Sequence, residues 1–215
     1  MQHQKEREKL LKIALEIYES KMVTGTWGNV SVRVNKNNML ITPSGMDYRL
    51  LKPDDMILLD FNLEIIEGNY KPSIESPMHR DVYLKREDVN AVVHVHSNYA
   101  CVFAVAGESI PVVLEETAQI IGHPIEVAPY AHCGSKELAS NVADHIADNN
   151  AVLLANHGLV GVGKSLNQAL KVCYIAEKTA MVALHAQQIG KVTSLSPEQI
   201  DILRKDLHKY GQSKN

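Results

Sequence analysis

The stretch "AVVHVHSN" (residues 91–98) decides the fold and raises the question of function. Its first residues are apolar and mostly β-branched, which predicts a buried β-strand. Because side chains alternate between the two faces of a strand, His94 and His96 lie on the same face. Neighbouring imidazoles are typical of a metal site, and a hydrogen-bonded pair lining a cleft is the simpler alternative. The pair alone leaves both interpretations open, so the rest of the chain must supply further ligands.

Composition excludes several classes of protein. The chain has 215 residues, 45% of them hydrophobic and 22% charged, which predicts one globular domain over residues 1–215. A net charge of −3 gives no basic field, so we expect no nucleic-acid partner. Neither a bilayer-length apolar run nor an apolar signal core is present, so we expect no membrane partner and a cytoplasmic location. The three widely spaced cysteines indicate reduced thiols.

Strand and helix patterns are interspersed along the chain. Residues 151–163 read as a strand, a tight turn and a second strand, whereas residues 165–190 form a long amphipathic helical pattern. A further helix is predicted over residues 76–86, with Ser76 as its cap and Pro77 at its first position. Short turns join several strands, which favours a mixed, largely antiparallel sheet with helices packed on it.

Two more residues are candidates for the metal site. His157, in "LLANHGLVGVG" (153–163), lies at a turn between apolar strands, from which a side chain can reach a cleft; taken alone, an ordinary turn or core histidine is the commoner interpretation. Glu75, in "KPSIESPMH" (71–79), starts a helix, where a carboxylate often only complements the helix dipole. Three histidines and one carboxylate nevertheless satisfy tetrahedral Zn²⁺ coordination without cysteine, and Mn²⁺, Fe²⁺ and Co²⁺ accept the same donors. A Glu75 that leaves the metal when substrate arrives can also serve as a base.

Three turns that carry glycine or serine precede the histidine strand: "GTWGN" (25–29), "TPSG" (42–45) and "KPS" (71–73). Turns of this kind can present backbone N–H groups to a phosphate. Ordinary loop geometry is the alternative for each turn taken alone. The first turn is neither a Walker P-loop nor a dinucleotide-binding fingerprint.

The order of these motifs is more specific than any one of them. The chain resembles the class II aldolase and adducin-head family, and most closely the aldolases of L-fuculose 1-phosphate, over nearly its whole length. The motifs that carry the resemblance are "GTWGNVS" (25–31), "TPSG" (42–45), "KPSIE" (71–75), "VVHVHS" (92–97), "LANHG" (154–158) and "HKYGQ" (208–212). The resemblance implies a single-domain α/β fold of α/β/α layers around a central mixed, mainly antiparallel sheet.

The resemblance also implies the site residues. Those implied to hold zinc are His94, His96, His157 and Glu75, with Glu75 acting in addition as acid and base. Those implied to bind phosphate are Gly28, Asn29, Ser44, Gly45 and Ser73. Tyr210, just before Gly211, is implied to reach the site of a neighbouring subunit. We therefore expect a homotetramer with its active sites between subunits.

The activity implied is reversible cleavage of a small phosphorylated ketose to dihydroxyacetone phosphate and an aldehyde. Sibling chemistries on the same scaffold are pentulose-5-phosphate 4-epimerisation and sugar-phosphate dehydration or decarboxylation. The epimerases typically carry aspartate at the position of Glu75, which favours the aldolase. A non-catalytic binding domain like the adducin head is the alternative from another class, and such heads lack the intact ligand set.

Two departures from the aldolase pattern bear on the substrate. Ile74 stands where the aldolases usually have a second serine that contributes to the phosphate site. The stretch "VLEETAQIIG" (113–122) offers Glu115 and Glu116 in place of an aromatic residue that the aldolases supply from the neighbouring subunit. The aldehyde specificity is therefore not carried over.

Two further residues near the motifs receive no chemical role. His79 lies on the predicted helix that follows Glu75, and we assign it no ligand role. Cys133 next to His132 suggests a nucleophile pair, but adjacent residues seldom face each other, and cysteine catalysis needs spatial pairing. We therefore expect a structural or rim position for Cys133.

Overall fold

The computed structural model describes residues 1–207 and confirms the α/β fold with a central mixed sheet. The strands of this part of the chain are β1 (Asn29–Arg33), β2 (Asn38–Ile41), β3 (Ile57–Asp60), β4 (Ile65–Glu67), β5 (Ala91–Val95), β6 (Val127–Ala128), β7 (Ala151–Leu154) and β8 (Gly158–Gly163). They form one sheet in the order β4-β3-β2-β1-β5-β8-β7-β6. Among these strands of residues 1–207, only the β6–β7 pair is parallel, and the other neighbouring strands are antiparallel. The histidine strand β5 therefore lies in the middle of the sheet.

Helices cover both faces of this sheet. Their bounds are α1 (Gln4–Glu19), α2 (Ser76–Lys85), α3 (Asn98–Ala106), α4 (Glu115–Ile120), α5 (Lys136–Ile146), α6 (Leu166–Ile189) and α7 (Pro197–Asp206). Within residues 1–207, no helix has the length and apolar character needed to cross a membrane.

The alternation of β5 produces the layered arrangement. Ala91, Val93 and Val95 pack into the core formed with α1, α3 and α6. Val92 packs into a second core, formed with α2 and α5 on the other face of the sheet. The prediction that strand residues two apart share a face is thus confirmed, and His94 lies on the face of Val92. The α/β/α layers follow directly from a strand that is apolar on both faces.

The start of α2 differs from the prediction by one residue. The helix begins at Ser76, so the prediction of Ser76 as its cap is wrong, and Glu75 occupies the N-cap position. The reason is local: the Ser76 hydroxyl donates a hydrogen bond to the Ser73 carbonyl at 2.6 Å and is used within the preceding turn. The Glu75 side chain makes no capping bond to its own helix, which leaves it free to point toward the sheet.

The predicted strand, turn and strand of residues 151–163 are confirmed as β7, a tight turn and β8. Asn156 takes a positive φ of 55° in this turn, and the His157 N–H donates to the Leu154 carbonyl at 3.0 Å. Because β8 pairs with β5, the turn brings His157 beside the end of the histidine strand. Gly158 permits this approach, since a Cβ there would lie 2.5 Å from the Val95 carbonyl oxygen.

Candidate metal centre

Three imidazole rings converge at the end of β5. The Nε2 atoms of His94 and His96 lie 3.0 Å apart, and the ring centroids of every pair among His94, His96 and His157 are 4.8 Å apart. Their potential ligand atoms all lie within 4.8 Å of one another. The structure thus brings together three histidines that the sequence placed in two motifs more than sixty residues apart.

The protonation of these rings suits metal binding. Nδ1 of His94 lies 3.1 Å from the Leu159 carbonyl, which can only accept, so Nδ1–H donates and the Nε2 lone pair faces the cluster. Burial lowers the pKa of His94 to about 3, with a further contribution from His157. Burial also lowers the pKa of His96 to about 3, and the neighbouring histidines add to this effect. Neutral imidazole is the form that coordinates a metal.

Glu75 completes the cluster. Its Oε2 lies 3.3 Å from Nε2 of His94, and its Oε1 lies 3.5 Å from Nε2 of His157. The side chain is buried and points away from its helix, so complementing the helix dipole does not account for its orientation. Three converging imidazole nitrogens, with a carboxylate beside two of them, form a donor set that fits a divalent cation.

Two side chains hold the Glu75 carboxylate from outside the cluster. The Asn29 amide donates from Nδ2 to Oε2 at 2.7 Å, and the Cys133 thiol donates from Sγ to Oε1 at 3.4 Å. The resemblance assigns Asn29 to the phosphate site, whereas in the structure its amide bonds to Glu75. Burial and the Glu75 carboxylate raise the pKa of Cys133 to about 12, so this thiol is not an activated nucleophile.

The turns predicted to bind phosphate lie side by side. The Ser44 N–H donates to the Lys71 carbonyl at 2.9 Å, and the Ser73 N–H donates to the Thr42 carbonyl at 3.2 Å. These two bonds join the second and third turns into one wall. They also engage the two amides, so the hydroxyl groups of Ser44 and Ser73 are the stronger candidates for contacts with an anion.

The turns and the metal cluster share one cleft of about 220 Å³. Its lining residues are Thr26, Trp27, Gly28, Asn29, Pro43, Ser44, Gly45, Ser73, Ile74, Glu75, His96, Cys133 and His157. His94 is fully buried beneath it. The cleft therefore combines a place for one divalent cation with hydroxyl groups and glycine turns a short distance away, an arrangement suited to a small phosphorylated molecule.

A larger cavity elsewhere lacks this chemistry. It measures about 470 Å³ and is lined in part by Lys164, Lys171 and Arg204. None of the predicted site residues lies in its lining. The convergence of ligand atoms, and not cavity size, therefore identifies the candidate site.

Glu115 and Glu116, which the sequence offers near the substrate, lie outside the lining that residues 1–207 give this cleft. Glu115 and Glu116 begin α4, and Glu116 forms an ion pair with Lys178 at 2.5 Å. Tyr210 lies outside the described residues. A role for these residues at the site of a neighbouring subunit stays a prediction.

The expected rim position of Cys133 agrees with its place in the cleft lining, but its contact with Glu75 was not predicted. Cys133 lies 58 residues from Glu75 along the chain, and its neighbour His132 suggested a pairing that the structure does not form. The only sequence signal was the small residue Gly134, where a Cβ would lie 3.1 Å from the Ile74 carbonyl oxygen. That close approach brings Cys133 to the cleft.

Comparison with known proteins places this site in a family. The profile of the class II aldolase and adducin N-terminal domain family matches residues 8–184. A 5-deoxy-D-ribulose 1-phosphate aldolase from Bacillus thuringiensis serovar kurstaki is 37% identical over 97% of this chain and 98% of its own. An L-fuculose phosphate aldolase from Haemophilus influenzae is 38% identical over 95% of this chain and 94% of its own.

A solved structure agrees with the sequence relatives. An L-fuculose 1-phosphate aldolase superimposes with a TM-score of 0.92 at 33% identity, covering 95% of this chain and 96% of its own. The agreement extends over nearly the full length of both chains. The chain therefore belongs to the class II aldolase and adducin N-terminal domain family, and within it to the aldolases.

Proposed function

We propose that this aldolase is zinc-dependent and reversibly cleaves a small ketose 1-phosphate to dihydroxyacetone phosphate and an aldehyde. The observation that carries the proposal is the cleft in which three imidazoles converge, with Glu75 against two of them, beside hydroxyl-bearing turns. The names of the relatives support the substrate class, because 5-deoxy-D-ribulose 1-phosphate and L-fuculose 1-phosphate are ketose 1-phosphates that end in a methyl carbon.

Zinc is the proposed ion because three imidazoles with one carboxylate form a common tetrahedral zinc donor set. Mn²⁺, Fe²⁺ and Co²⁺ accept the same donors and are the alternatives. His94, His96, His157 and Glu75 would hold the cation, which would supply a Lewis acid to the bound ketose.

The chain's own residues supply proton transfer. In the cleavage direction the C4 hydroxyl loses its proton, the C3–C4 bond breaks, and its electron pair passes into an enediolate of the three-carbon phosphate. Glu75, protonated from solvent before this step, then delivers its proton to C3, which gives dihydroxyacetone phosphate and leaves the Glu75 carboxylate ionised. We propose that Tyr210 of a neighbouring subunit takes the C4 hydroxyl proton, a role that requires an oligomer, and the expected assembly is a homotetramer.

The phosphate end of the substrate provides orientation. We propose that the turns bearing Gly28, Ser44, Gly45 and Ser73 hold the phosphate. Asn29 lies between these turns and Glu75, and we propose that it contacts the phosphate as well as the Glu75 carboxylate. Binding energy from this unreactive group fixes the C3–C4 bond relative to Glu75. Ile74 is 60% exposed in the same wall and offers an apolar side chain where a second hydroxyl is expected.

The test is release of dihydroxyacetone phosphate, followed by coupled NADH oxidation, from 5-deoxyribulose 1-phosphate and fuculose 1-phosphate. We expect release by zinc-loaded protein and a loss of about 10²- to 10⁴-fold in Glu75→Gln, the range for a general acid or base. A pentulose 5-phosphate is the comparison substrate. Its epimerisation, with no cleavage of either ketose 1-phosphate, would replace the aldolase proposal with the epimerase.

A further inference from the structure

A buried row of hydrogen-bonded polar side chains leads away from the metal cluster. It begins at Glu75, whose Oε2 accepts from Nδ2 of Asn29 at 2.7 Å. Oδ1 of Asn29 lies 2.5 Å from Nε2 of His79, and Nδ1 of His79 lies 2.6 Å from Oγ of Ser31. Oγ of Ser31 lies 2.7 Å from the Tyr83 hydroxyl. All five side chains are buried.

Two simple sequence spacings place these side chains in a row. Glu75, His79 and Tyr83 are four residues apart and so lie along one side of α2 and the residue that precedes it. Asn29 and Ser31 are two residues apart and lie on the same face of β1. Packing of α2 against β1 interleaves the two sets into one continuous row of hydrogen bonds.

With Glu75 ionised and His79 neutral, one set of directions satisfies every hydrogen bond in the row. A carboxylate only accepts, so the Asn29 amide must direct Nδ2 at Glu75 and Oδ1 at His79. Oδ1 also only accepts, so His79 donates from Nε2–H and carries a lone pair on Nδ1.

The lone pair then fixes the hydroxyl end of the row. Nδ1 of His79 accepts from the Ser31 hydroxyl, whose oxygen in turn accepts from the Tyr83 hydroxyl. Burial, with a smaller contribution from His94, lowers the pKa of His79 to about 3. The ring is therefore neutral and can accept at one nitrogen while it donates at the other.

We propose that His79 is a positioning residue for Glu75. Its Nε2–H tautomer, selected by Ser31 and Tyr83, orients the Asn29 amide, and that amide holds Oε2 of Glu75 3.3 Å from Nε2 of His94. The row thereby keeps the carboxylate in the geometry needed to bind a metal. The catalytic consequence rests on the proposed aldolase function; the tautomer and the effect on metal binding do not.

The first test is the tautomer of His79 in the intact protein. ¹⁵N NMR of imidazole-labelled protein distinguishes a protonated Nε2 from a protonated Nδ1, and His79→Gln identifies the signals of this ring. We expect protonation at Nε2 and a free Nδ1. A ring protonated at Nδ1 would overturn the proposal, because it could not donate to Asn29 as the row requires.

The second test is metal affinity in matched variants. Trp27 is the only tryptophan, and its ring centroid lies 6.1 Å from that of His96, so its fluorescence reports Co²⁺ binding at the cluster. His79→Leu removes both hydrogen bonds, whereas His79→Gln offers an amide N–H and an oxygen in their place. We expect about 10- to 100-fold weaker Co²⁺ binding for His79→Leu, as for other supporting residues of metal sites, and binding within about threefold of wild type for His79→Gln.

Thr179→Val is the control for loss of a buried hydrogen bond. Thr179 is fully buried in α6, its hydroxyl bonds to that of Thr117 at 2.6 Å, and neither threonine lines the cleft. We expect wild-type Co²⁺ affinity for this variant. If Thr179→Val weakens Co²⁺ binding as much as His79→Leu does, or if His79→Leu binds Co²⁺ with wild-type affinity, the row supports folding only and the proposal is overturned.

The third test is proton exchange at C3 of dihydroxyacetone phosphate in D₂O. We expect His79→Leu to lower the turnover rate about 10- to 100-fold with little change in KM, and His79→Gln to restore most of it. Equal loss in both variants would contradict positioning through the Nε2–H group. Absence of exchange in wild-type protein would instead count against the proposed aldolase function, while the tautomer and Co²⁺ results would still decide the role of His79.

Discussion

Gly158→Ala tests whether the close approach of β8 to β5 is what assembles the histidine cluster. A Cβ at this position would lie 2.5 Å from the Val95 carbonyl oxygen, 3.0 Å from Cδ2 of His96 and 3.2 Å from Cε1 of His94. Real Cβ atoms essentially never approach another heavy atom within 3.0 Å, so the Val95 contact must lengthen by at least 0.5 Å. This movement would displace the end of β5 and the rings of His94 and His96.

The size of the effect follows from this clash. Overpacking a well-packed interior costs about 1–3 kcal/mol, and for a chain of this size that lowers Tm by about 2–12 °C. If the metal-free variant relieves the clash by displacing the rings, metal binding must restore the strained geometry. Strain of about 1–3 kcal/mol then weakens metal affinity by about 5- to 150-fold.

Gly161→Ala is the matched control on the same strand. Its Cβ would lie 2.6 Å from Sγ of Cys173 and 2.9 Å from the Ala169 carbonyl oxygen, a comparable clash directed at α6. We expect a similar loss of thermal stability but Co²⁺ affinity within about twofold of wild type. The assays are thermal unfolding of the metal-free proteins and Co²⁺ titration followed by Trp27 fluorescence. Wild-type affinity in Gly158→Ala, or equal weakening in both variants, would refute this reasoning.

Three further predictions follow from the same geometry. Ile74→Ser adds a hydroxyl to the proposed phosphate wall and should tighten dihydroxyacetone phosphate binding about tenfold, which corresponds to the lower end of the free energy gained from a hydrogen bond to a charged group. Unchanged affinity by calorimetry would exclude this wall as the phosphate site. Because burial lowers the pKa of His79 to about 3, the unfolded chain binds more protons below pH 6.5, and stability falls on acidification toward pH 3. His79→Gln should reduce the pH dependence of the free energy of unfolding, measured with urea, by up to about 1.4 kcal/mol per pH unit. An unchanged pH dependence would contradict a neutral buried ring. Tyr210→Phe should retain zinc and lose aldol cleavage, whereas full cleavage activity would remove the proposed role of this residue.

The sequence was sufficient to predict the centre of the fold and the residues that converge at the candidate metal centre. The strand carrying His94 and His96 is apolar on both faces, and period-two alternation determines which side chains share a face. The turn pattern made His157 a candidate, and the resemblance of the motifs to the family selected it as the third ligand. These inferences rest on local geometry, which a strand or turn pattern specifies directly.

What could not be predicted depends on contacts between distant segments. The Asn29 amide and the Glu75 carboxylate are 46 residues apart, and only the packing of α2 on β1 brings them together. Cys133 reaches Glu75 through a loop whose path no local pattern specifies. The two-residue strand β6 is too short to show alternation. The one-residue error at Ser76 arose because its hydroxyl bonds to the preceding turn.

The most direct test of the central claim is proton exchange at C3 of dihydroxyacetone phosphate in D₂O, followed by NMR. This measurement isolates the enediolate step and needs no knowledge of the aldehyde. Zinc-loaded protein should exchange this proton rapidly, and metal-stripped protein and Glu75→Gln should lose about 10²- to 10⁴-fold in rate. No exchange by zinc-loaded wild-type protein, or exchange that persists in Glu75→Gln, would contradict the assignment of Glu75 as the acid and base of a metal-dependent aldolase.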